Sequence, residues 1–121
     1  MTEPIVHDPI TLEILSNALR SIADETFVAL QKSAYSTNIK ERHDHSTALF
    51  DAEGRLIMQA QKSLPVHVGA ISGTVSKLAE KFGSDIHEGD VFVGNDPYAA
   101  AVMTVVFAVM TYLFGSTRFK E

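Results

Sequence analysis

"STALFDAEGRLIMQA", Ser46 to Ala60, decides the fold. Thr47 to Phe50 and Leu56 to Ala60 are short β-prone runs. Between them "DAEG" supplies Asp51, whose carboxylate can fold back onto the backbone just downstream, and Gly54, which takes a positive φ at little steric cost. Two such runs joined by that chemistry predict a β-hairpin.

Upstream, "DPITLEILSNALRSIADETFVALQKSA", Asp8 to Ala34, predicts a helix with a clearly written start. Asp8 can accept from the orphan amides of the first turn, and Pro9 falls at the first helical position, where its missing N–H costs nothing. Leu15, Ala18, Leu19, Ile22, Thr26 or Phe27, and Leu30 recur near a period of 3.6, which predicts the buried stripe, with Glu13, Arg20, Asp24 and Lys32 towards water. The pattern carries to about Ser33, giving ~25 residues and roughly 37 Å of helix.

Downstream, "LPVHVGA" reads as a third extended piece with Pro65 at an edge. "SGTVSKLAEKFG" predicts a second helix capped by Ser72, striped by Val75, Leu78, Ala79 and Phe82 and closed by Gly83. A short strand from Val91 to Val93 and an Asn-Asp-Pro turn follow. Together these elements predict an α+β fold. Residues 1–98 form one unit in this reading and 99–121 a separate hydrophobic segment. Ala99 to Gly115 carries no charge, but its uncharged core, Ala99 to Phe114, falls just short of a bilayer span, and its β-branched residues favour buried strands.

The chain has 121 residues, 45% of them hydrophobic, a net charge of −5 and no Cys. The length suits one domain, and the acidic balance without a basic cluster argues against nucleic acid. The absence of Cys removes disulfide frameworks, thiolate metal sites and thiol nucleophiles. "MTEPIVHDP" lacks the basic-then-apolar order of a secretory signal, so the expected compartment is the cytoplasm.

Three of the five histidines lie near the hairpin. His43 and His45 flank Asp44, a spacing that on a strand points both rings to one face. That offers two points of a metal ligand set, with His67 or Asp51 as a third only if folding supplies it, against the plainer reading of a charged, solvated strand start. His67, between two valines, reads either as a buried hydrogen-bonded histidine or as a catalyst. Lys40, Glu41 and Arg42 in "NIKER" suit a solvated turn, and Asn95 and Asp96 either project from a strand end, where ligating and catalytic side chains often sit, or form a plain turn. Neither a nucleophile elbow nor a phosphate loop is present.

Taken in order, "DPITLEILSNAL", "SAYSTNIKERHDHSTALFDAEGRLIMQAQ", "LPVHVGA" and "GDVFVGNDPY" resemble the N-terminal part of the hydantoinase B/5-oxoprolinase family, which also includes the large subunits of acetone and acetophenone carboxylases. The resemblance covers Asp8 to Tyr98, 91 of 121 positions. It implies ATP-dependent opening of cyclic amides such as hydantoin or 5-oxoproline, or ketone carboxylation, with a divalent metal and with ATP handled by a hydantoinase A-type partner or domain. It singles out Glu41, Asp44 and His67 as candidate catalytic residues, and Lys40, Asn95 and Asp96 as further motif positions. In the family a Gly-Gly-Thr-His-x-x-Asp segment follows the Asn-Asp-Pro-Tyr turn and contributes metal ligands. Here Ala99, Ala100 and Ala101 stand instead, and neither His nor Asp occurs after Asp96. The expectation is a truncated or divergent member, inactive alone, that pairs with an ATP-binding subunit, or else a non-catalytic module that associates with a family subunit or with itself.

Overall fold

The computed structural model describes residues 8–51, 53–87 and 89–94, together with the strand 106–108. Helix α1 runs Pro9–Ser33, a single-turn helix α2 spans Thr37–Lys40, and strands β1 (Ala48–Phe50) and β2 (Leu56–Gln59) form an antiparallel hairpin. Helix α3 (Pro65–Phe82) follows and passes through a 3₁₀ turn, Gly83–Asp85, towards strand β3 (Phe92–Gly94), which pairs antiparallel with β4 (Val106–Ala108). The α+β class is as the sequence predicts.

The start of α1 is built as expected. Asp8 Oδ2 accepts from the Thr11 backbone N–H and hydroxyl, both at 3.2 Å, and Pro9 opens the helix. So is the hairpin turn: Asp51 Oδ1 accepts from the backbone N–H groups of Glu53 and Arg55 at 3.1 and 2.8 Å, and Gly54 sits at φ 78°. Arg55 Nε adds an ion pair to Asp51 Oδ2 at 2.6 Å. The Arg55 backbone N–H, assisted by its guanidinium, holds the Asp51 carboxyl below its ordinary pKa.

The hairpin stands between two helices. Leu49 pairs with Met58, and both pack on the cluster of Ala23, Phe27 and Ala60 on the α1 side. Phe50, next along β1, points the other way, as strand geometry requires, and packs with Val75, Ile71 and Leu78 of α3. A bulge between these two registers leaves Ile57 as the extra residue on β2. Phe27 is the largest fully buried side chain, and His45 stacks on it with ring centroids 3.9 Å apart.

The structure corrects several expectations. "LPVHVGA" is not a strand: Pro65 is the first residue of α3, with Leu64 held extended before it, as a residue preceding proline prefers. The helical period begins at Val68 and runs through Ile71, Val75 and Leu78, so Ser72 is not a cap but lies mid-helix, its Oγ donating to the Val68 carbonyl at 3.0 Å. Gly83 does end the helix, at φ 50°. The third strand is Phe92–Gly94, one residue later than expected.

The stripe on α1 is also rotated. Ala23 and Phe27 face the hairpin, whereas Leu15, Ile22 and Leu30 remain exposed. A hairpin with strands of three and four residues covers only the C-terminal half of so long a helix. Asp24, placed towards water by the sequence, is half-buried and accepts from the Gln61 backbone N–H at 2.7 Å. The segment Ala99 to Phe114 lies outside the described residues except for the β4 backbone, and so do Asn95 and Asp96. Among the described residues no helix is long and apolar enough to cross a membrane.

Candidate functional site

The segment between α2 and β1 carries no regular structure and turns sharply. His43 takes φ 54°, a left-handed conformation that an L-residue reaches at a cost of ~1–2 kcal/mol. The His45 backbone N–H then donates to the His43 carbonyl at 2.8 Å, closing a three-residue turn around Asp44. The Asp44 N–H is anchored to the Asn38 carbonyl at 2.9 Å. This tight turn presents the Asp44 carboxylate to solvent, its side chain 54% exposed. Strained backbone of this kind concentrates at functional sites.

His43 and His45 serve the core. His45 Nε2–H donates to the Phe27 carbonyl at 3.0 Å, leaving a buried Nδ1 with no partner among the described residues. The His43 ring meets Phe27 edge-on at 6.4 Å, and its Nε2 lies 2.7 Å from the Gln31 side-chain amide. Both imidazoles therefore approach one aromatic ring, though from an irregular turn rather than from a strand. They do not form a two-point metal set with a third ligand: among the described residues no three His, Cys, Asp or Glu side chains converge as a metal site requires. The described residues thus do not fit a complete metal centre, and no chemical step is derived through one.

His67 lies in the first turn of α3, its side chain 12% exposed. Its Nε2 is 3.5 Å from Asp44 Oδ1 and its Nδ1 is 3.2 Å from Ser46 Oγ. Two serines bring these groups together across the sequence. Ser63 Oγ accepts from the Thr47 N–H and donates to the Thr47 carbonyl, both at 3.0 Å, pinning the loop before α3 to the start of β1. Ser46 Oγ accepts from the Leu64 N–H at 2.8 Å and so fixes the start of the helix. His67 is carried to the Asp44 turn as a result.

Of the three candidate catalytic residues, the structure brings Asp44 and His67 together and leaves Glu41 apart. Glu41 is exposed at the C-cap of α2, with no hydrogen bond or ion pair to either partner. Lys40 ends α2, exposed, its backbone carbonyl accepting from the Gln31 side chain at 3.2 Å. Sequence reasoning missed Ser46 as a member of the site. The signal was available, because Ser46 stands two residues after Asp44 in the same motif block.

The sequence model for "Hydantoinase B/oxoprolinase" matches residues 8–117. "5-oxoprolinase 1" of Arabidopsis thaliana is 39% identical over 109 residues, covering 90% of this chain and 8% of the relative. "5-oxoprolinase" of Saccharomyces cerevisiae is 38% identical over 110 residues, 91% of this chain and 8% of the relative. "Caprolactamase subunit beta" of Pseudomonas jessenii is 39% identical over 90 residues, 74% of this chain and 15% of that subunit. The chain therefore spans 8% of the length of the oxoprolinases it matches. No solved structure matches it.

Proposed function

The chain belongs to the hydantoinase B/oxoprolinase family, and we propose that it supplies one wall of a site for ATP-dependent hydrolysis of cyclic amides such as 5-oxoproline or hydantoin, and is inactive alone. The observation that carries this reading is the Asp44–His67 pair, 3.5 Å apart and drawn from two separated motif segments. Two relatives are named 5-oxoprolinases and a third a caprolactamase subunit, names that share cyclic amides. A carboxylate beside an imidazole can take a proton from water as it attacks a carbonyl. An unstrained amide resists that attack until its carbonyl oxygen is activated. The sequence carries no phosphate-binding motif, so the activation belongs to an ATP-binding subunit or domain of hydantoinase A type.

A second reading is a non-catalytic module that pairs with a family subunit or with another copy of itself. It is favoured by Ile10, Leu12, Ile14 and Leu15, which are 51–68% exposed along the first half of α1. Apolar surface of that kind marks interaction sites.

The test is product release from 5-oxoproline and hydantoin, with ATP and added divalent cations, by the chain alone and with a hydantoinase A-type subunit. No turnover is expected from the chain alone. Turnover with the subunit should disappear in Asp44→Asn and in His67→Ala. Hydrolysis by the pure chain would refute its dependence on other parts. Complex activity that survives both substitutions would refute the site assignment.

A further inference from the structure

The contacts around His67 form a line from the start of α3 through Ser46 to the exposed Asp44 carboxylate. Ser46 Oγ accepts a hydrogen bond from the Leu64 backbone N–H at 2.8 Å, which occupies one lone pair and leaves the hydroxyl hydrogen free to be donated elsewhere. An acceptor within reach among the described residues is His67 Nδ1, at 3.2 Å. An imidazole nitrogen that accepts carries no proton, so in the neutral ring the proton sits on Nε2. Nε2 faces Asp44 Oδ1 at 3.5 Å, and a carboxylate only accepts. The Leu64 N–H and the Ser46 hydroxyl then each meet an acceptor, and the His67 Nε2–H faces the Asp44 carboxylate across a longer, 3.5 Å electrostatic contact.

We propose that Ser46 and His67 are positioning residues: Ser46 holds His67 in the Nε2–H tautomer, and His67 then orients Asp44, its Nε2–H facing Oδ1 and leaving Oδ2 open. This deepens the site reading above and rests on it only for the role given to Asp44. Exposure supports the direction of the line. Ser46 is half-buried and its backbone is fixed beside Ser63, His67 is 12% exposed, and Asp44 is 54% exposed. The order is not that of a nucleophilic serine triad. The hydroxyl is the half-buried anchor and the carboxylate is the reachable end, so the group presented to a substrate or to water is Asp44.

The experiment is long-range proton–nitrogen NMR of the full ¹⁵N-labelled chain at neutral pH, reading the His67 ring nitrogens and the Ser46 hydroxyl proton. The expected result is a single Nε2–H tautomer and a hydroxyl proton protected from exchange. Ser46→Ala should convert the ring signals to the averaged values of two tautomers, Ser46→Thr should keep the single tautomer, and Asp44→Asn should keep it too, because Ser46 sets it. A native Nδ1–H tautomer would overturn the proposal, and so would Ser46→Ala spectra identical to the native ones. If circular dichroism shows that Ser46→Ala does not fold, the native and Ser46→Thr spectra decide: averaged tautomers in either refute it. None of these signals depends on amide hydrolysis. The tautomer can hold while the hydrolase reading fails, and the reverse.

Discussion

Replacing Gly54 tests the hairpin and its seat on α3 together. Gly54 is buried at φ 78°, and a Cβ built there would lie 3.5 Å from Ser76 Cα, Ser76 Oγ and Val75 Cγ1. For Gly54→Ala these are ordinary van der Waals contacts, so the cost comes from the backbone alone. Holding an L-residue in the left-handed region costs ~1–2 kcal/mol, and the stiffer unfolded chain offsets ~0.4–1 kcal/mol of that. The net loss should be up to ~1.6 kcal/mol, at roughly 2–8 °C in Tm per kcal/mol for a domain of this size. Gly54→Val places two further methyl groups against Val75 and Ser76 and should lose an additional ~1–3 kcal/mol by overpacking. Gly73 is the control. It lies inside α3 with no atom of the described residues within 4 Å of a built Cβ, so Gly73→Ala should stabilise by ~0.5–1 kcal/mol. Urea unfolding followed by circular dichroism measures all three. Alanine at 54 and at 73 giving equal shifts, or valine at 54 no worse than alanine, would refute the turn geometry and its packing on α3.

Phe27→Ala should cost ~3–5 kcal/mol and remove the stacking partner of His45, enough to abolish a cooperative thermal transition in a domain of ordinary marginal stability; a retained sharp transition at the native Tm would contradict the core assignment. The Asp51 carboxyl is held below its ordinary pKa of 3.8, so its stabilising contribution is complete above that value and is lost as pH falls through the lower folded pKa. Asp51→Asn should therefore flatten the acid limb of a stability-against-pH curve below about pH 4, and an unchanged acid limb would count against the Arg55 contacts. If the exposed residues of α1 drive self-association, Ile10→Glu with Ile14→Glu should lower the mass measured by light scattering at micromolar concentration, and an associated species of unchanged mass would place the interface elsewhere.

The parts of the fold legible in the sequence are those fixed by local chemistry. Asp8 before Pro9, and Asp51 before Gly54, each specify a turn or cap within a few residues, and both form as read. Pro65 misled because proline suits both a strand edge and a helix's first position. The Val68, Ile71, Val75, Leu78 period that decides between them begins where the sequence reading placed a strand. The apolar face of α1 was misplaced for a different reason: its sequence carries more apolar residues than one stripe needs, and which of them are covered depends on how far the hairpin reaches. At the site, the motif block pointed to Asp44 and His67, but their meeting depends on Ser46 and Ser63 hydrogen-bonding across the loop before α3, a tertiary arrangement that no spacing rule encodes.

Helix α1 is one continuous run of backbone hydrogen bonds in two different environments. Its C-terminal half is tied to the hairpin by Phe27, by the Thr47 hydroxyl on the Ala23 carbonyl at 2.9 Å and by Asp24 on Gln61, while residues 9–15 are exposed throughout. A first half with so little tertiary support is shorter than the ~12–15 residues at which even favourable isolated helices become marginal. Amide exchange should therefore change along a single helix, fast before Leu15 and slow after Ala23, with fraying proceeding from one end. The Asp8 cap sits on the fast side of that gradient. It governs how often the first turns open, and the global unfolding of the domain is governed by the residues beyond Ala23.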